Sequence, residues 1–161
     1  MAKAPLPHVF EHATNLKAEP RGVFEFHLFP KNIGKVSPPW IKLISLEGPE
    51  RLTPGSVLKL RVASFGFPQS WEVRVVSVED FSGTPAKASI QDEAVRGPFP
   101  FWRHLHEFWA APDGSTGLVD RIEFLPPGGP AGVILVPAIK AMLRKMFEAR
   151  HEATKRIFEK A

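Results

Sequence analysis

The chain has 161 residues, a length typical of one domain that buries about two thirds of its unfolded surface. Hydrophobic residues make up 43% and charged residues 24%, which excludes wholesale disorder, and the absence of cysteine excludes disulfides, thiolate catalysis and zinc–thiolate sites. The excess of Lys and Arg over Asp and Glu is small (21 against 17) and is not clustered, so we expect no nucleic-acid partner.

The beginning of the chain does not show the pattern of a targeting segment. It carries a single early lysine and no apolar run, unlike a signal peptide. No stretch approaches the roughly 18 consecutive apolar residues of a membrane span. We therefore expect a cytoplasmic protein without stable membrane insertion.

The first forty residues predict a strand followed by two short helices. Residues 8–16 form an imperfectly alternating strand. Pro20 suits the first position of a helix. Pro30 begins a second short helical turn, which Ser37-Pro38-Pro39 ends, because proline forces extended backbone on the residue before it.

The central part of the chain predicts six further strands at hairpin spacing. Gly- and Pro-containing turns separate short runs rich in Val, Ile, Leu, Phe and Trp. The predicted strands span 40–46, 57–65, 71–78, 86–93, 99–111 and 116–125.

The last thirty residues predict one long amphipathic helix, from about Ala131 to Glu159. Pro137 leaves two possibilities, that the regular helix starts there or that an earlier first turn is kinked. A lone helix must bury its apolar stripe, and the sheet is the only large partner. The stripe comprises Leu135, Ile139, Met142, Met146, Ala149, Ala153 and Ile157, widened by Leu143, Phe147 and Phe158. We therefore predict an α+β fold in which a curved sheet grips this helix and encloses an apolar cavity.

Two histidines on the sixth predicted strand share one face. The turn Pro112-Asp113-Gly114 suits a three-residue hairpin loop that pairs Ala111 with Ser115. In that register one face is apolar and carries both imidazoles, while the other is ionic, with Arg103 opposite Glu123. We expect the first face to line the cavity. Its predicted pairs are Trp102 with Phe124, His104 with Ile122, His106 with Asp120, and Phe108 with Leu118.

This pairing allows three kinds of chemistry. Asp120 would orient His106 as a general acid or base, with His104 as a second donor to the ligand. An equally supported alternative is that the same residues form a hydrogen-bonded polar cluster with a structural role. Two His and one Asp also match the composition of a facial metal triad. The sequence places no further metal ligand near these three residues, and we predict no metal.

Other polar residues carry weaker signals. His27, at the end of the first helix, is expected to be a capping or surface residue. Asp92 is expected to be an exposed carboxylate at a strand end, and Trp40 and Trp71 are expected in the core. No phosphate loop, dinucleotide fingerprint or GxSxG nucleophile elbow is present, so we predict no cofactor.

Several segments together resemble the START-like ligand-binding superfamily (SRPBCC), most closely its bacterial cyclase/dehydrase-like or cell-division-inhibitor-like branch. They are Asp92 to Phe99, Trp102-x-His104-x-His106-x-Phe108, and Thr116-x-Leu118-x-Asp120-x-Ile122-x-Phe124-x-Pro126, with Phe24-x-Phe26-His27-x-x-Pro30-x-Asn32 and Phe147-x-x-Arg150 in agreement. The resemblance implies a helix-grip fold, with a seven-stranded antiparallel sheet around the C-terminal helix. It also implies a deep cavity for lipids, isoprenoids, polyketides or similar ligands, and no single reaction. Ala94, where relatives often have Gln, and Pro137 depart from the pattern.

We therefore predict that residues 1–161 form a single domain that binds or carries a hydrophobic small molecule. The alternative is a cofactor-independent cyclase, aromatase or dehydratase that uses His106 and Asp120 as an acid/base pair and His104 as a donor. Docking of a partner on the basic helix is disfavoured, because its polar face mixes charges of both signs. The sequence leaves the oligomeric state open. The predicted ligand contacts are Trp102, Phe108, Leu118, Ile122, Phe124, Met142 and Met146.

Overall fold

The structure is a computed structural model that describes residues 5–159. Its strands are β1 His8–Leu16, β2 Ile41–Glu47, β3 Val57–Ser64, β4 Phe67–Ser82, β5 Lys87–Arg96, β6 Phe101–Ala110 and β7 Thr116–Leu125. Its α-helices are α1 Pro20–His27, α2 Ile33–Val36 and α3 Val136–Phe158, and short 3-10 helices over Pro30–Asn32 and Gly129–Leu135 precede α2 and α3. This order confirms the predicted α+β helix-grip fold, with two short helices after the first strand.

All seven strands form one antiparallel sheet in the order β1-β7-β6-β5-β4-β3-β2. The first strand therefore pairs with the last, and β2 lies at the opposite edge. Register shifts interrupt the β2–β3 and β4–β5 pairings. Because such bulges bend a strand and increase its twist, they help the sheet to curve around the helices.

Strand β4 is longer than the sequence predicted. Gly66 and Pro68 were expected to separate two strands over several residues. Instead, Phe65 and Gly66 both have positive φ, 50° and 84°, and form a tight two-residue turn. Pro68 consequently lies inside β4, paired with Ala63 of β3.

The predicted β6–β7 register is confirmed. His106 lies opposite Asp120, His104 opposite Ile122 and Arg103 opposite Glu123. The outer face is ionic, since Arg103 contacts Glu93 at 2.7 Å and Glu123 at 3.6 Å. The hairpin register thus places both imidazoles on the face that α1 and α3 cover.

Pro137 lies in the first turn of α3, so the regular helix starts there, as one of the two alternatives required. The helix buries only part of its predicted stripe, most completely Leu143 and Phe147. Its most buried residues are Leu143, Phe147, His151 and Thr154, together with Val136 at the start.

The buried face of α3 is therefore displaced from the centre of the predicted stripe. Leu135, Met142 and Ile157 are 45%, 42% and 38% exposed. Hydrophobic periodicity misplaced the centre of the buried helix face, because it cannot count the polar residues His151 and Thr154 as buried positions. None of the helices within residues 5–159 combines the length and the apolar character needed to cross a bilayer.

Candidate functional site

A cavity of about 570 Å³ lies between the sheet and the helices. Strands β2 to β6 contribute one side, and α1, α2 and α3 up to Arg150 contribute the other. Most of the lining is apolar, with aromatic rings from Phe26, Trp40, Trp71 and Trp102. A second depression, near Trp109 and the end of α3, includes the charged residues Lys17, Asp113, Lys155 and Glu159 in its lining.

The cavity contains some of the predicted ligand contacts but not all. Trp102, Met142 and Met146 line it, as do His104 and His106. Four further residues that we predicted as ligand contacts are each 0% exposed, belong to the packed core and are not part of the lining: Phe108, Leu118, Ile122 and Phe124.

The packing explains this difference. All four residues are on the predicted inner face, but helices or neighbouring rings cover that face at both ends. Phe108 packs edge-on against Phe24 of α1, and Phe124 packs against Phe99. An inward direction therefore does not by itself give access to the cavity, and a ligand contact at these four residues stays a prediction.

Asp120 is the centre of a buried polar network. It is 3% exposed, and its Oδ1 accepts a hydrogen bond of 2.7 Å from Nε2 of His104. Its Oδ2 accepts a second hydrogen bond, from Nε2 of His151 on α3. His106 Nδ1 lies 2.7 Å from Oδ1 but outside the hydrogen-bonding direction, and it has no hydrogen-bond partner within residues 5–159.

His151 and His12 were missed by the sequence analysis. His151 is 2% exposed, and its Nδ1 lies 2.9 Å from Nδ1 of His12 on β1. One of these two Nδ1 atoms donates and the other accepts, and Nε2 of His151 donates to Asp120. His12 lies opposite Asp120 in the β1–β7 pairing. The sequence could have indicated this contact, because pairing of the first strand with the last places His12 beside Asp120.

Burial keeps the central imidazoles neutral. It lowers the pKa of His104 and of His106, and the neighbouring His104 lowers that of His106 further. Burial alone would raise the pKa of Asp120, but the adjacent imidazoles, His106 foremost, hold it well below its usual range. The network therefore contains an ionised Asp120 carboxylate beside the neutral rings of His104 and His106.

Two polar residues were predicted outside the cavity and are found inside it. His27 lines the cavity and packs edge-on against Phe108, with its Nδ1 donating to the carbonyl oxygen of Val23 at 2.8 Å. Burial lowers the pKa of His27 to about 3. Asp92 also lines the cavity, and burial raises its pKa to about 6.

Both predictions failed for a related reason. The capping position of His27 was taken as a surface position, but α1 ends against the inner face of the sheet. Asp92 was placed at a strand end, but β5 continues to Arg96. Trp40 and Trp71, expected in the core, are half-buried and line the cavity instead.

The polar end of the cavity has unsatisfied hydrogen-bonding capacity. Besides His106 Nδ1, the Oδ1 atom of Asn32 is buried and without a partner among the described residues. Arg150 lines the same cavity from α3, and burial lowers the pKa of its guanidinium. The negative charges of Asp92 and Asp120 oppose that effect.

Comparison with known proteins identifies the fold. No family model and no curated protein sequence matches the chain. Among solved structures, norcoclaurine synthase from Thalictrum flavum is similar at a TM-score of 0.70 and 13% identity, covering 98% of this chain and 97% of that one. A START superfamily protein from Mycobacterium smegmatis gives 0.63 and 16%, covering 94% and 97%. KanY gives 0.71 and 12%, covering 96% and 99%.

These similarities extend over nearly the whole length of each chain. At such low identity they show the fold and not the activity. The START-like fold implied by the sequence resemblance is thus confirmed.

Proposed function

We propose that the protein binds one small amphipathic organic molecule in the cavity between the sheet and α3. The apolar body of the ligand packs against the aromatic and aliphatic lining, and an oxygen-bearing head group lies at the polar end near Asp92, His106 and Arg150. The observation that carries this proposal is a largely apolar cavity of about 570 Å³ that ends in half-buried titratable side chains. Ligand sites in proteins combine these two features.

The cavity favours a lipid, isoprenoid, quinone or polyketide-like ligand. Its volume is within the range of roughly 300–1,000 Å³ that is usual for small-molecule sites. A ligand that covers the half-buried rings of Trp71 and Trp102 removes apolar surface from water, and this stabilises the complex. Binding and carrying such a molecule needs no turnover, and the fold of the similar START superfamily protein agrees with it.

The head group follows from the hydrogen bonds that are missing. Buried polar atoms in native proteins almost always have partners. His106 Nδ1 and Asn32 Oδ1 lack them, and the Arg150 guanidinium is nearby. A carbonyl or carboxylate oxygen at the end of the ligand would accept hydrogen bonds from the Arg150 guanidinium, whereas a hydroxyl could also donate to the acceptor Asn32 Oδ1. The cytoplasmic location expected from the sequence, and one domain over the whole chain, stay predictions.

Fluorescence of an amphipathic dye tests the proposal. Anilinonaphthalene sulfonate is titrated into wild-type protein and into two variants with the same substitution on the same strand. Val73→Trp fills the cavity, since Val73 lines it, whereas Val76→Trp changes a residue that is 46% exposed and outside the lining. We expect saturable binding that Val73→Trp weakens at least about tenfold and Val76→Trp leaves within about twofold. Equal binding by both folded variants would contradict a ligand in this cavity.

A second candidate function is acid/base catalysis without a cofactor, of the cyclase, aromatase or dehydratase type. The specific observation in its favour is a neutral, buried His106 at the cavity beside the ionised Asp120. His104 would donate to a substrate carbonyl. Norcoclaurine synthase, an enzyme by name, has the same fold.

This candidate is tested by dehydration of a β-hydroxy ketone probe, in which an α-proton and the hydroxyl leave as water and an enone forms. His106→Gln should abolish enone formation and change binding of the probe less than about threefold. Unchanged turnover in this variant would exclude His106 as the acid/base group.

A further inference from the structure

We propose that Asp92, His104 and His106 bind a divalent first-row transition metal ion at the polar end of the cavity, with Asp120 as the residue that orients the His104 imidazole. This inference does not depend on the organic ligand. It also differs from the triad that the sequence suggested, because Asp92 takes the place of Asp120 among the ligands.

The three side chains converge on one point. One ligand atom from each lies within 4.8 Å of the others. Asp92 on β5 is directly opposite His104 on β6, and His106 is two residues further on the same face of β6, with the two rings 3.8 Å apart. Ligand atoms bound tetrahedrally at about 2.1 Å are separated by about 3.4 Å. Rotations that move the side-chain ends by about 1 Å would close the triad around an ion.

Asp120 is unsuited to be a ligand and suited to support one. Both of its oxygens already accept hydrogen bonds, Oδ1 from His104 and Oδ2 from His151. Because Nε2 of His104 carries the donated proton, its Nδ1 has a free lone pair. A histidine that binds a metal usually donates its other N–H to a carboxylate, which fixes the tautomer and the ring orientation. The His104–Asp120 pair has this arrangement before any metal is added.

The surroundings provide an independent argument for a cation. His106 Nδ1 is buried and lies 2.7 Å from Asp120 Oδ1, but without the direction of a hydrogen bond. Arg150 lines this end of the cavity, and the charges of Asp92 and Asp120 both act to raise the pKa of its guanidinium. The two carboxylates and the guanidinium leave one negative charge uncompensated, which favours a cation. Imidazole ligands favour Zn²⁺, Fe²⁺ and Co²⁺ over Mg²⁺ and Ca²⁺.

A metal held there would remain accessible. Three protein ligands leave at least one coordination position open, as in catalytic zinc sites and in sites with two histidines and one carboxylate. All three ligands line the cavity, so the open position would face the bound molecule. An oxygen of that molecule could then coordinate the ion directly.

Metal titration of the folded protein tests the proposal. The protein is treated with EDTA, dialysed, and titrated with Zn²⁺ in a calorimeter and with Co²⁺ in a spectrophotometer. We expect one equivalent of each and a Co²⁺ ligand-field spectrum typical of nitrogen and oxygen ligands. Asp92→Asn should weaken binding at least 100-fold, and Asp120→Asn about 10- to 100-fold. His8→Gln, at a histidine outside the cavity lining, should stay within about twofold.

Several results would overturn the proposal. These are no saturable binding of either ion by wild-type protein, equal affinity in wild type and Asp92→Asn, or equal losses in Asp92→Asn and His8→Gln. If circular dichroism shows that Asp92→Asn does not fold, metal affinity is measured in His104→Gln instead, beside the wild-type Co²⁺ spectrum. Equal affinity in wild type and His104→Gln would then overturn the proposal. Dye binding measured in EDTA separates this proposal from the organic ligand, because that binding needs no metal.

Discussion

His27→Gln gives a stability change whose dependence on pH can be calculated from the structure. The His27 ring is enclosed by the cavity and Phe108, and its Nδ1 donates to the carbonyl oxygen of Val23. Burial lowers its pKa from 6.5 to about 3 in the folded protein. Below pH 6.5 the unfolded chain therefore binds a proton that the folded protein does not bind, and stability falls as pH falls from 6.5 towards 3.

The magnitude follows from the proton linkage. At about pH 4.5 the unfolded histidine is protonated with a free-energy gain of about 2.7 kcal/mol, which is two pH units at about 1.36 kcal/mol each. The folded histidine gains almost nothing, since its pKa lies lower still. Glutamine has no such proton. The stability of wild type relative to His27→Gln should therefore fall by about 2.7 kcal/mol between about pH 7.5 and about pH 4.5.

Urea unfolding of both proteins at the two pH values measures this difference, and contributions from the other histidines cancel when they are the same in both proteins. His8→Gln, at a histidine outside the cavity lining, controls for the loss of a histidine as such. If the difference in the free energy of unfolding between wild type and His27→Gln does not change with pH, the reasoning is refuted. So would an NMR titration in which the His27 ring protonates near pH 6.5.

Three further predictions concern stability, each measured by urea unfolding of the variant beside wild type. Phe147→Ala removes a ring that is 1% exposed between α3 and β1 and should cost about 3–5 kcal/mol, so a loss below about 1 kcal/mol would contradict its place in the core. Asp120→Asn leaves one buried imidazole N–H facing an amide N–H and should cost about 3 kcal/mol at neutral pH; an unchanged midpoint would contradict the network. Gly117→Ala should cost at least about 1–3 kcal/mol, because its Cβ would lie 1.9 Å from the Trp109 ring, and a neutral effect would show that this ring is not held there.

The sequence predicted the fold and the central hairpin because both depend on local rules. Side-chain alternation and a Pro-Asp-Gly turn were sufficient to pair His106 with Asp120, and the structure contains that pair. Pro137 marked the start of the last helix for a similarly local reason, its fixed φ and missing N–H.

The rest of the site depends on contacts between distant segments. His12 and His151 meet 139 positions apart in the chain, and nothing in either segment marks the encounter. His151 also lies on a helix face that a hydrophobicity pattern assigns to solvent. His27 and Asp92 were misplaced because their exposure depends on how α1 and β5 pack, which their own neighbours in sequence do not determine.

A cavity that binds an amphipathic molecule is most directly tested by the methyl groups of Met142 and Met146, which line it. Protein labelled with ¹³C at the methionine methyl groups is titrated with anilinonaphthalene sulfonate, and the two signals are assigned with Met142→Leu and Met146→Leu. We predict that both signals shift and saturate at one equivalent, and that Val73→Trp suppresses these shifts. Saturable binding of the dye that leaves both methyl signals unmoved would contradict a ligand between the sheet and α3.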